Sequence, residues 1–102
     1  MLEALTVDAF TPAIGGVFVL DDPGLGAIDL ELVEARTIEP GAPASDAGGR
    51  RTPFSLLFRG PGDPVLPQRI YRLRHDAIGA IEIFIVPVGR DAAGVHYEAT
   101  FA

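Results

Sequence analysis

A chain of 102 residues with 48% hydrophobic residues has the size of one domain around one core, and it is too apolar for intrinsic disorder. The absence of cysteine excludes disulfides and thiolate chemistry, and a net charge of −6 has the wrong sign for a general phosphate or nucleic-acid binder. No apolar run approaches the ~20 residues that span a bilayer, and Met1–Phe10 lacks the basic start and apolar centre of a signal peptide.

The first stretch, Leu5–Ile14, fits a short helix capped by Thr6 with Leu5, Ala9 and Phe10 turned to the core; Thr11-Pro12 stops it from growing. Gly15-Gly16 breaks that pattern and Val17–Leu20 reads as a strand. Asp21-Asp22-Pro23-Gly24-Leu25-Gly26 is a turn, because Pro presets φ and Gly supplies positive φ. Ala27–Arg36 is then the second arm of a hairpin. Ile28, Leu30 and Leu32 share one face, after which Val33 and Ala35 fall on the face of Asp29. Either a β-bulge near Leu32-Val33 restores the phase, or that end of the strand is buried on both faces.

Glu39–Gly49 holds only small residues, Pro, Glu and Asp, so a mobile surface loop is expected at about 39–50. Four further apolar runs follow, each rich in β-branched or aromatic residues: Phe54–Phe58, Ile70–His75, Ile81–Val88 and Val95–Phe101. Asp76-Ala77-Ile78-Gly79 fits a tight hairpin turn and Gly89–Gly94 a second hairpin loop. Ile81–Val88 is apolar on both sides beyond Glu82 and should be central; Pro87 either ends its ladder or marks a bulge.

About six strands joined in hairpins, with 12 Gly and 9 Pro, give an all-β domain with at most one short N-terminal helix. The architecture is a small antiparallel barrel or a compact two-sheet sandwich, as one domain over residues 1–102. Its expected core contains Phe18, Leu30, Leu32, Phe54, Leu56, Phe58, Tyr71, Leu73, Ile83, Ile85, Tyr97 and Phe101.

Several segments together resemble a known family: Phe54-Ser55-Leu56-Leu57-Phe58-Arg59-Gly60-Pro61, Leu66-Pro67-Gln68, Tyr71-Arg72-Leu73-Arg74-His75, Ile83-Phe84-Ile85-Val86-Pro87-Val88-Gly89 and Tyr97-Glu98-Ala99-Thr100-Phe101. They are similar to the signature of the DUF6916 family, over about the whole chain and most specifically from Phe54 onward. The resemblance implies a small single-domain bacterial protein and brings no catalytic residue to map. It also points towards phage-tail-like fibres as a setting.

Chemistry finds little support in the residues. Ser45 and Ser55 lie on no strained turn beside a base. His75 and His96, with Asp76, Asp91 or Glu98, show no recognised metal-ligand spacing. The fourteen acids are scattered, and Gly60-Pro61-Gly62 leads to a strand where phosphate binding needs a helix. Arg69, Arg72, Arg74 and His75 form a basic run with no exposed aromatic interleaved. No enzyme activity, cofactor, metal or nucleic acid is expected.

The expected function is a structural or interaction module, with a protein partner or self-association. Its candidate surface is Leu57, Arg59, Ile70, Arg72, Arg74 and Phe84, which alternation turns outward, on strands whose edges carry no protecting lysine. A small barrel holding an apolar ligand is the alternative and an enzyme the third reading. The expected location is the cytoplasm, or an exported assembly reached without a common signal peptide.

Overall fold

A computed structural model describes residues 7–37, 53–63 and 65–101. One helical turn, α1 (Val7–Phe10), runs into a 3-10 turn (Thr11–Ala13). Six strands follow: β1 (Val17–Asp22), β2 (Gly26–Thr37), β3 (Phe54–Gly60), β4 (Arg69–His75), β5 (Gly79–Asp91) and β6 (Gly94–Phe101). They close into an antiparallel barrel in the order β1-β2-β3-β6-β5-β4. The loop expected at about 39–50, like Leu5 and Thr6, lies outside the described residues.

Two long strands turn the corners of the barrel. β2 pairs with β1 through Glu31 and then with β3 through Thr37. β5 pairs with β4 from Gly79 to Ile85 and with β6 from Val86 to Asp91. A strand that leaves one sheet for the next must bend, and an extra unpaired residue supplies the bend. The β2–β3 register shifts between Leu32 and Glu34, which places the bulge at Val33 and selects the bulge over two-sided burial. The β5–β6 register shifts between Pro87 and Gly89, beside the residue that cannot donate to the ladder. Pairing then continues to Asp91, so the hairpin loop expected over Gly89–Gly94 shrinks to Ala92-Ala93.

The turns follow from local chemistry. In the β1–β2 turn, Asp22 Oδ2 accepts from the N–H groups of Gly24 at 3.0 Å and Leu25 at 3.1 Å. In the β4–β5 turn, His75 Nδ1 accepts from Ala77 at 3.0 Å and Ile78 at 3.3 Å. Each side chain thus takes two donors that the ladder leaves over.

The inward residues form one core, including eleven of the twelve expected from the sequence as buried residues, with Phe101 half-buried against them. Both mouths are filled. At one, Phe10 is fully buried, its ring 5.8 Å from those of Phe54 and Phe101, which stack on each other at 4.6 Å. The single helical turn buries Phe10 and packs Val7 partly against the core, which leaves Ala9, expected in the core, exposed. At the other mouth Leu66, between β3 and β4, is buried, and its N–H donates to the Tyr97 hydroxyl at 2.9 Å. Burial pushes the Tyr97 phenol above its ordinary value, outweighing the Leu66 N–H, which favours the phenolate.

Candidate functional site

The barrel closes the edges on which the expected surface partly rested: β6 runs between β3 and β5, and β4 between β1 and β5. Each strand thus has a neighbour on both sides, although among the described residues β2 over Gly26–Leu30 and β5 over Gly79–Ile85 are paired along one edge only.

The six candidate residues separate into two groups on opposite sides of the ring. Leu57 and Arg59 lie on β3. Leu57 is half-buried, with Glu34, Arg36, Ser55 and Glu98 around it, and Arg59 is ion-paired to Glu31. Ser55 faces the same way and is buried. This side is largely self-satisfied.

Ile70, Arg72, Arg74 and Phe84 come together on the outer face of β4 and β5. The register set by the Asp76–Gly79 turn puts Ile70 directly opposite Phe84 and Arg72 opposite Glu82. Ile70 is 63% exposed and Phe84 48% exposed. Two-sided burial of β5 was the sequence expectation; a barrel has one inside, Ile83 and Ile85 take it, and Phe84 is left in water.

Charge frames this apolar pair. Arg69 meets Asp22 at 3.1 Å, Arg72 meets Glu82 at 3.5 Å and Arg74 meets Asp21 at 3.0 Å. Arg69 also lies over the Tyr71 ring, 5.0 Å from its centre. Sequence reading missed Asp21 and Asp22 as counter-ions, because the β1–β4 pairing that brings them to the arginines joins distant parts of the chain. The pairs are largely exposed and each adds little stability.

Two open grooves cross the outer face of β1 and β4. One includes Val17, Val19, Asp29, Arg74, His75 and Asp76; the other includes Ile70, Arg72, Glu82, Asp21, Asp22 and Pro23. His75 in the first groove has a structural occupation: its ring lies 4.5 Å from that of Phe18 and its Nδ1 holds the turn. His96 sits towards the opposite mouth, with Nδ1 3.9 Å from Asp91 Oδ2, beyond hydrogen-bond distance. Among the described residues no three His, Asp or Glu side chains gather as a metal would need. No helix among them is long and apolar enough to cross a membrane.

Comparison with curated proteins and with solved structures finds no match. A family model does match, from residue 5 to residue 101, and the chain belongs to the DUF6916 family, a domain of unknown function.

Proposed function

We propose that the protein is a non-enzymatic structural or interaction module: a small subunit or accessory of a larger bacterial assembly, with a phage-tail-like fibre as one setting. The observation that carries this reading is the Ile70–Phe84 pair, two large apolar side chains set against each other in water within a frame of ion pairs. An apolar centre with a polar rim is the usual anatomy of a protein interface. The barrel that holds an apolar ligand is the weaker reading, since Phe18, Leu30, Phe58 and Tyr97 are fully buried within it and Phe10 and Leu66 fill its mouths.

Native mass spectrometry and light scattering on the purified protein test the proposal, with Ile70→Glu/Phe84→Glu as the control. The wild type should form oligomers or retain a protein partner, and the folded double variant should do neither. A strict monomer at high concentration that retains no partner overturns it.

A further inference from the structure

The two halves of the barrel repeat one another. Val17–Val33 aligns with Ile70–Val86 without a gap, each residue 53 positions before its counterpart. Identical pairs are Leu20/Leu73, Gly26/Gly79, Ala27/Ala80, Ile28/Ile81 and Val33/Val86, and Phe18/Tyr71, Asp29/Glu82, Leu30/Ile83 and Leu32/Ile85 keep their chemistry. The turn residues Asp22 and His75 correspond, and each accepts from the N–H groups two and three residues ahead. Each turn ends on a glycine in the left-handed region, Gly26 at φ 84° and Gly79 at φ 91°.

The strand registers obey the same correspondence. Leu20 pairs with Leu73, its own counterpart, and the flanking pairs Val19–Arg74 and Asp21–Arg72 exchange with one another. A twofold axis through the β1–β4 seam has that effect. With β3 set on β6 at 41 positions, the pairs Arg36–Ser55 and Thr37–Phe54 become Gly89–His96 and Arg90–Val95, both present in the barrel; nearer the bulges the match slips, since the bulge at Val33 corresponds to Val86 while the second unit carries its own at Val88. On the far seam Leu57 pairs with Glu98, again its own counterpart. The two grooves across β1 and β4 are also exchanged: Val17, Val19, Asp29, Arg74, His75 and Asp76 correspond to Ile70, Arg72, Glu82, Asp21, Asp22 and Pro23.

This repeat supplies an internal reference for the surface. Where the second half sets Ile70 against Phe84, the first sets Val17 against Glu31. Glu31 is held by Arg59, whose counterpart is Thr100. The fold is thus served at that place by an ion pair, and it does not require an exposed phenylalanine. The apolar pair belongs to something outside the fold. Its frame points to what: Arg69, Arg72 and Arg74 balance Asp21, Asp22 and Glu82 on a chain of net charge −6. A face that meets itself about a twofold axis avoids an excess of one sign, and here each of the three arginines is matched by a carboxylate.

We infer that the barrel is two copies of one three-stranded unit, and that the second unit differs from the first at Ile70 and Phe84 because that pair docks a second copy of the chain. The docking part rests on the reading of that pair as an interaction surface; the repeat does not.

Two exchanged variants test both parts. Ile70→Val/Phe84→Glu/Thr100→Arg gives the second unit the residues of the first, and Val17→Ile/Glu31→Phe/Arg59→Thr does the reverse. If the units correspond, both variants fold and melt within about 5 °C of the wild type, as exposed replacements at equivalent places should. Light scattering over rising concentration then shows a wild-type dimer, at least about tenfold weaker association in the first variant, and species beyond the dimer in the second, which carries two docking faces. Unfolding of either variant overturns the correspondence of the units. Two folded variants with wild-type mass overturn the docking pair and leave the repeat standing. A wild type that stays monomeric throughout overturns self-docking.

Discussion

Replacing Tyr97 by Phe removes one oxygen from the best-enclosed polar contact of the barrel. Tyr97 is 0% exposed and Leu66 1% exposed, so water cannot take the place of the hydroxyl that accepts from the Leu66 N–H at 2.9 Å. A buried donor left unpaired costs about 1–3 kcal/mol. For a domain near this size each kcal/mol lowers Tm by roughly 4–8 °C. The same contact has a pH signature. Burial raises the Tyr97 phenol in the folded chain, whereas in the unfolded chain it ionises near its ordinary value, about 10. Above that pH the unfolded state has given up a proton that the folded state keeps, so stability falls as pH rises. Tyr97→Phe lacks this loss. Urea melts of both proteins from pH 8 to pH 11 should show the wild type more stable by the stated amount at pH 8, with the gap narrowing above about pH 10. A variant as stable as the wild type at pH 8, or a gap that stays constant to pH 11, refutes the enclosed Leu66–Tyr97 contact.

Other substitutions probe the turns and the core. Gly94 sits at φ 136°, and an added Cβ would fall 2.1 Å from the Gly60 carbonyl oxygen, so Gly94→Ala should destabilise by about 2 kcal/mol or more in chemical denaturation. His75→Asp should lose less than His75→Ala, because both give up the ring contact with Phe18 but a carboxylate can still hold the turn as Asp22 does; the difference should be about 1 kcal/mol, and equal losses in the two would contradict the role given to Nδ1. Phe58→Ala, fully buried in the barrel, should cost about 3–5 kcal/mol in the same assay, and a cost near zero would contradict a packed interior.

The strands were legible because outward and inward residues alternate cleanly, as in Tyr71-Arg72-Leu73-Arg74, and because Gly, Pro and Asp punctuate them. The bulge at Val33 could be suspected from the switch of apolar face after Leu32, a signal that local sequence carries. Closure could not be read, since β1 meets β4 through residues some fifty positions apart and nothing local marks the match. Leu66 was missed as a core residue for a related reason: two apolar residues between prolines, Val65 and Leu66, look like loop until the barrel mouth that Leu66 fills is known. Of the candidate surface, the outward direction of Ile70, Arg72, Arg74 and Phe84 was legible from alternation. The opposition of Ile70 and Phe84 depends on the hairpin register, and the burial around Leu57 depends on neighbours from β2 and β6. The repeat was present in the sequence throughout. Few of its residues are identical, and the change of offset from 53 to 41 before the last strand hides it from a search at one period.

Backbone nuclear Overhauser effects across the two seams test the closed, two-unit barrel most directly. Cross-strand contacts should appear between Leu20 and Leu73 and between Leu57 and Glu98, with Thr37–Phe54 matched by Arg90–Val95. Silence between β1 and β4, with their amides exchanging as those of an open edge do, would contradict the barrel and the twofold correspondence together.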